Sequence, residues 1–306
     1  MFNLMTFEER VNFYLGYNFV NSDKININDY ENIYTIDMLT DNIDQTINNI
    51  DKSGMNFTYR FYDYSIKSLL IKTKNIDKKF KFKRGDISYK ETLITLVKNR
   101  CINNNDSVLL RCLNFDRHWK EYYDKPIDVT FEEKQPKIFW RGTTTGQPYY
   151  IGNRFDLVTK WYIKHPDIDV GFNKICQNKN EYAQYVKGHC KSEEFLKYKY
   201  IISVEGNDKD SGINWKLNSN SLVLMPRPRV TSWLMETTLI PNFHYVLLKD
   251  DFSDLAEKLE WCNNNQDECK QIIKNANHFM SQFADAKREE ELEEEVIRRY
   301  FEKIIQ

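Results

Sequence analysis

Four clusters in this chain bring together residue types that hold or transfer phosphorylated groups. The first is Arg141-Gly142-Thr143-Thr144-Thr145-Gly146, directly after the apolar run Lys137-Ile138-Phe139-Trp140. A planar arginine fork, hydroxyls and the amides of a glycine turn are donors that suit a diphosphate. The Gly-Lys-Ser/Thr signature of a nucleoside-triphosphate loop is missing. The second cluster is Glu205-Gly206-Asn207-Asp208, with Trp215 and Lys216 a few residues on. The third runs from Ser221 through Pro226-Arg227-Pro228-Arg229 to Trp233 and Glu236. The fourth is Asn114-Phe115-Asp116-Arg117-His118, at the end of the apolar run 107–113. Asp116 there reads either as a proton acceptor or, with Asn114, as a helix cap.

The elements around these clusters read as an α/β chain. Residues 200–204 form an apolar, β-branched run of strand length, and residues 221–225 form a second. A weakly helical segment, 212–219, lies between them, which makes a βαβ unit. In such folds ligands bind beyond the carboxyl ends of the strands. A ligand site is therefore expected at residues 206–208 and 226–233. Further strands are expected at 57–62, 69–71, 107–113, 137–140, 167–172 and 245–248. Helices are expected at 6–15, 89–100, 153–163, 181–185, 192–198, 255–263, 267–283 and 286–305. Thr6 and Ser192 are candidate N-caps, each followed by acids in the first turn. In the last helix Leu292, Val296, Tyr300 and Ile304 share one face.

The length of 306 residues fits two domains. The charged stretch 128–135, between Pro126 and Pro136, marks the boundary, so residues 1–135, 136–285 and a C-terminal helix 286–306 are the expected parts. A net charge of −1 gives no global attraction to nucleic acid. Residues 67–84 are rich in lysine, with Phe80 and Phe82 interleaved. Two readings fit: a solvated edge hairpin, or a basic loop facing an anionic acceptor such as a lipid head group. No run approaches the roughly 20 apolar residues of a membrane span, and Glu8 and Glu9 stand where a signal peptide is basic and then apolar. A cytoplasmic protein, with at most peripheral membrane contact, is expected. The six cysteines have no metal-ligand spacing. Cys262 and Cys269 are expected two turns apart on one helix face.

Taken in order, the motifs resemble glycosyltransferase family 90, which includes lipopolysaccharide-core and capsule glycosyltransferases and protein O-glucosyltransferases. The resemblance rests on Phe139-Trp140-Arg141-Gly142 with its threonines, and on Lys199-Tyr200 and the strand leading to Gly206. It continues in Ser219-Asn220-Ser221, Met225-Pro226, Trp233, Pro241 and His244-Tyr245-Val246, and in the acidic cap from Lys249 to Leu255. These motifs cover residues 137–260; residues 1–110 carry none. The lipopolysaccharide-biosynthesis branch is the nearer likeness.

That resemblance implies a GT-B-like pair of Rossmann-like domains with the C-terminal helix packing back. It implies inverting, metal-independent transfer of glucose or xylose from a UDP-sugar to a glycan or lipid-linked glycan, with no cofactor. It also leaves room for a protein O-glycosyltransferase, or for a relative that binds nucleotide-sugar or glycan without turnover. The donor-binding residues implied are Arg141, Gly142, Thr143, Thr144, Gly206, Asn207, Asp208, Lys216, Ser221, Pro226, Trp233 and Glu236. Family members often carry a basic residue where this chain has Gly212 and Asn214. Trp215 or Trp233 stacks near the uracil or belongs to the core, and Glu236 accepts ribose hydroxyls. Asp116 is the first candidate for the base, with Asp63, Asp86 and His118 behind it.

Overall fold

Thr6 starts the first helix as expected. Its hydroxyl accepts the Glu9 N–H at 3.2 Å, and the Glu9 carboxylate accepts the Thr6 N–H at 2.8 Å, which closes a capping box. The computed structural model describes residues 3–39, 55–87, 89–102, 106–114, 118–124, 127–146 and 151–306, so Asp116 lies outside the described residues.

In the N-terminal half the elements are α1 (Phe7–Leu15), α2 (Tyr17–Asn21), β1 (Ile25–Asn26), β2 (Ile33–Tyr34), α3 (Met55–Lys72), β3 (Phe80–Phe82), β4 (Thr95–Val97), β5 (Asn99–Cys101), β6 (Val108–Leu109) and α4 (Lys120–Tyr123). Residues 57–62 and 69–71, expected as strands, both lie in α3. Its Tyr62, Ile66, Leu69 and Leu70 are buried at helical spacing, a period that the aromatic alternation at 57–62 hid. Residues 89–100, expected as helix, instead contain β4 and the start of β5. β4 pairs in parallel with β3 on one side and β6 on the other, and β2 closes the sheet antiparallel to β3. A central parallel strand is buried on both faces, so Ile94, Leu96 and Val97 carry no clean period. β3 is internal to this sheet, not an edge hairpin, with Phe80 and Phe82 buried.

The C-terminal half continues with β7 (Gln135–Thr143), α5 (Arg154–Trp161), β8 (Ile168–Lys174), α6 (Ser192–Phe195), β9 (Tyr198–Ile202), α7 (Ile213–Leu217), β10 (Leu222–Met225), β11 (Val230–Ser232), β12 (Val246–Leu247), α8 (Leu255–Asn264), α9 (Gln266–Ser281), α10 (Ala286–Lys303) and β13 (Ile304–Ile305). Five of these strands form a wholly parallel sheet in the order β12-β10-β9-β7-β8. Counted along the chain this is the order 2-1-3-4-5, which reverses direction between β7 and β9. The side-chain period of two separates the faces. Ile138, Trp140, Tyr200, Ile202, Leu222 and Leu224 pack with α5 and α8. Phe139, Ile201, Val223 and Met225 pack with α7, α9 and the N-terminal half.

The chain breaks between α8 and α9 at Asn265, so Cys262 and Cys269 do not share one straight helix. The two buried residues meet across the break, with the Cys269 thiol 3.5 Å from the Cys262 carbonyl oxygen.

Several contacts join the halves. β5 pairs antiparallel with β11, matching Asn99 with Ser232. The last helix returns across α1, where the Arg10 fork meets the Glu289 carboxylate at 2.6 and 2.7 Å. Glu289 also accepts the Trp233 indole N–H at 2.6 Å, and Tyr14 stacks on that indole with centroids 3.7 Å apart. All four side chains are buried. Removing one partner of a buried, hydrogen-bonded ion pair strands the other charge and costs about 3–5 kcal/mol. Arg10→Met is expected to lower unfolding free energy by that amount in urea titration. A change below about 1 kcal/mol would show that the pair does not hold α10 in place.

Candidate active site

The reversal point of the sheet falls between β7 and β9, and the loops leaving their carboxyl ends touch. The Gly146 N–H donates to the Asn207 side-chain oxygen at 2.9 Å. A Cβ on Gly146, whose φ is +103°, would stand 2.9 Å from the Gly206 carbonyl oxygen. A Cβ on Gly206 would stand 2.9 Å from the Thr145 hydroxyl and 3.0 Å from the Arg154 guanidinium. Gly146 therefore needs glycine for its left-handed φ and for the close approach of the Gly206 backbone, whereas a side chain at Gly206 would displace the Thr145 hydroxyl and the Arg154 guanidinium.

Arg154 fills the seam. It is the first residue of α5, follows the N-cap Asn153, and is 8% exposed. Its guanidinium donates to the Thr145 hydroxyl at 2.7 Å, to the Thr143 carbonyl at 3.2 Å and to the Val204 carbonyl at 3.2 and 3.3 Å. It thus satisfies carbonyls at the ends of both strands. An arginine at a helix N-terminus runs against the helix dipole, and that anomaly is the sequence signal by which Arg154 was detectable.

Beyond the seam lies a row of buried acid–base pairs. Asp210 accepts from Lys216 at 2.6 Å, from Ser203 at 2.9 Å and from the Gly212 N–H at 3.0 Å. Burial pushes its carboxyl up, but Lys216 and Arg154 outweigh that and hold it below the usual carboxylate value. Asp208 is bridged by Lys98, 2.8 Å away, which also contacts Asp86 from the N-terminal half. Burial raises the Asp208 carboxyl in spite of Lys98. Glu205 accepts the backbone N–H groups of Arg229 and Val230 at 2.8 and 3.1 Å. Lys209 and Glu236, both almost fully buried, pair at 3.0 Å.

Asp210, Lys216, Glu205, Lys209 and Glu236 line two recesses that share Asp210. One is a narrow crevice of about 30 Å³ at the carboxyl ends of β9 and β10, between Ser203, Glu205, Lys209 and Glu236 on one side and Pro226–Arg229 on the other. The second is a cleft of about 410 Å³ lined by Arg141, Thr143, Arg154, Trp215 and Lys216. Sites for small ligands commonly occupy about 300–1,000 Å³. Among the described residues, no three His, Cys, Asp or Glu side chains converge as metal ligands.

The candidates chosen from sequence separate into three groups. Thr143, Gly206, Asn207 and Asp208 meet at or beside the seam, and Pro226 and Glu236 line the crevice. Arg141, Gly142, Thr144 and Lys216 sit close by, but their side chains or neighbours are engaged. Arg141 forks onto Asp169 with two contacts of 2.8 Å, Gly142 backs onto the Trp140 indole, and Thr144 bonds to the Cys176 backbone. The third group lies elsewhere. Ser221 is at the opposite end of β10, bonded to the Tyr198 carbonyl. Trp233 is wholly buried under Tyr14 and belongs to the core. Both were chosen for position in a motif, which does not tell which end of a strand, or which face, a side chain occupies. Of the other base candidates, Asp63 is paired with Arg84, Asp86 faces Lys98, and His118 is buried. Besides Arg154, sequence reasoning missed Lys209 and Asp210; only their long-range partners distinguish them from surface charges.

Comparison with known proteins agrees with the motif content. Residues 113–306 match the profile of glycosyl transferase family 90. An "O-glucosyltransferase LpsA" of Dichelobacter nodosus is 35% identical over 226 residues, covering 73% of this chain and 66% of that protein. "Uncharacterized protein 179R" of Invertebrate iridescent virus 6 is 26% identical over 58% of this chain and 18% of its own length. "Protein O-glucosyltransferase 2" of Danio rerio is 28% identical over 46% of this chain and 28% of its own. The chain therefore spans just under two thirds of the bacterial relative and much less of the other two.

The seam makes a direct prediction. Gly206→Ala is expected to destabilise the protein by about 1–3 kcal/mol through overpacking. Thr145→Ala in the same chain should recover part of the loss, because the new methyl meets the Thr145 hydroxyl. A double-mutant cycle in denaturant measures the coupling; additive effects would mean that the loops do not touch as described.

Proposed function

The chain belongs to glycosyltransferase family 90, and on that premise we propose that it moves a sugar, glucose or xylose, from a UDP-sugar to a glycan or lipopolysaccharide-type acceptor. The observation carrying this reading is the meeting of the β7 and β9 loops at the sheet's reversal point, with Glu236 and the Pro226 loop beside them. An open parallel sheet binds its ligand at that place. The likeness to a relative named as an O-glucosyltransferase over most of this chain supports a glucosyl donor. Similarity to proteins named protein O-glucosyltransferase covers less of the chain and makes a protein hydroxyl the second reading.

In this proposal the two halves act as a GT-B-like pair, with the donor on the C-terminal half and the acceptor on the N-terminal half. The diphosphate lies along the seam, held by the threonine hydroxyls and amides at 143–146 and by the field of Arg154 and Lys216, without a metal ion. The uridine ribose meets Glu236. The crevice alone is smaller than a nucleotide, and the wider cleft beside it shares Asp210. Transfer is inverting: the acceptor oxygen attacks the anomeric carbon as the bond to UDP breaks, UDP leaves with the electron pair, and a base takes the acceptor proton. Asp116 remains the proposed base. The proposal places the protein in the cytoplasm, with at most peripheral membrane contact. Among the described residues no helix is long and apolar enough to cross a membrane.

Thermal unfolding with UDP, UDP-glucose, UDP-xylose and GDP-mannose, with and without EDTA, tests the proposal. UDP compounds are expected to stabilise by about 2.7 kcal/mol at a hundredfold excess over Kd, and EDTA to leave that unchanged. Asp116→Asn should keep the UDP shift and lose transfer. No shift with any uridine nucleotide would overturn the reading.

A further inference from the structure

Lys209 is a lysine with no donor left to give. It is 4% exposed, and its ammonium makes three contacts, each of 3.0 Å: to the Asn214 side-chain oxygen, the Ser232 hydroxyl and one Glu236 carboxylate oxygen. An ammonium has three N–H groups, so all are spent inside the protein. Lys209 thus lacks the free donor that a phosphate ligand needs, although it stands in the crevice wall.

What these contacts hold is Glu236. One of its oxygens accepts from Lys209 and, at 2.8 Å, from the Ser232 hydroxyl; the other accepts the Ser232 N–H at 2.6 Å. A carboxylate has about four acceptor positions, and these three contacts leave one, on the second oxygen. The backbone leading into Glu236 is strained for the same geometry. Met235, a buried non-glycine residue, has φ +60° and ψ +43°, the left-handed region. Such a residue persists only where its surroundings over-determine it. The turn folds the Glu236 side chain back onto β11, which β5 of the N-terminal half holds in place.

We infer that Lys209 is a positioning residue that orients Glu236 as a single-acceptor clamp for a ribose hydroxyl, making the site selective for ribonucleotides over 2′-deoxyribonucleotides. This inference rests on the UDP-sugar reading above. Asn214, one of two positions where a basic residue was expected from the resemblance, here receives the Lys209 ammonium. Lys209 acts through Glu236 and touches no substrate.

The test is calorimetric binding of UDP and 2′-deoxy-UDP to the wild type, Lys209→Met, Lys209→Arg and Ser232→Ala, with steady-state kinetics on the active UDP-sugar. A site built to bond a hydroxyl rejects the analogue lacking it, so the wild type is expected to prefer UDP by about tenfold or more. Lys209→Met should weaken UDP by about tenfold while leaving 2′-deoxy-UDP within about threefold, so the preference collapses. KM should rise and kcat change little. Lys209→Arg should keep part of the preference, and Ser232→Ala, which removes another tether, should reduce it. Equal weakening of both nucleotides by Lys209→Met would overturn the inference and assign Lys209 to the diphosphate or to stability. An unchanged preference in Lys209→Met, or in Ser232→Ala should the lysine variant not fold, would overturn it too. A wild type that binds both nucleotides equally removes the clamp but keeps the UDP reading; one that binds neither removes both.

Discussion

Two loops have to touch for the C-terminal half to have a site at all. The carboxyl ends of β7 and β9 lead to opposite faces of the sheet, and the gap between them leaves strand-end carbonyls without ladder partners. Here the gap is closed by Gly146 against Gly206 and by Arg154 donating to both sides. Buried carbonyls without donors are costly, so Arg154 has a structural reason to be present. It also places a guanidinium where an anion would approach. One interaction therefore serves strand termination and charge at once.

Three buried lysines around the loops follow one rule. Lys98, Lys209 and Lys216 each face a carboxylate from another part of the loop system, Asp208, Glu236 and Asp210 respectively. Buried pairs add little net stability over apolar packing, and their value lies in geometry. Lys98 joins the N-terminal half to the loop after β9. The β5–β11 pairing and the Arg10–Glu289 fork join the halves elsewhere. The loops that carry the site are thus tied to both halves, so movement between the halves would reshape the crevice.

Much of this was legible in sequence, and what was not has a physical cause. β7, β9 and β10 were visible as short apolar runs because parallel strands are buried on both faces. The loops after β7 and β9 stood out through Gly142, Gly146 and Gly206. The last helix was readable from Leu292, Val296 and Tyr300. The N-terminal half misled in both directions: aromatic alternation at 57–62 imitated a strand within α3, and Leu93, Leu96 and Val97 imitated a helix around β4. Local period cannot arbitrate short apolar segments whose partners lie far along the chain. The same limit hid the contacts of Lys209, which appear only from Asn214, Ser232 and Glu236. It also left open whether Trp233 is core, where it is buried, and which end of β10 Ser221 occupies.

The measurement closest to the central claim is hydrogen–deuterium exchange of the backbone with and without UDP. Slowed exchange is expected in residues 143–146, 204–212 and 226–236, with the β12 and α8 segments unchanged. Protection confined to another surface, such as the groove between α3 and α10 lined by Ser65, Lys72 and Glu293, would contradict the assignment of the site to the sheet's reversal point.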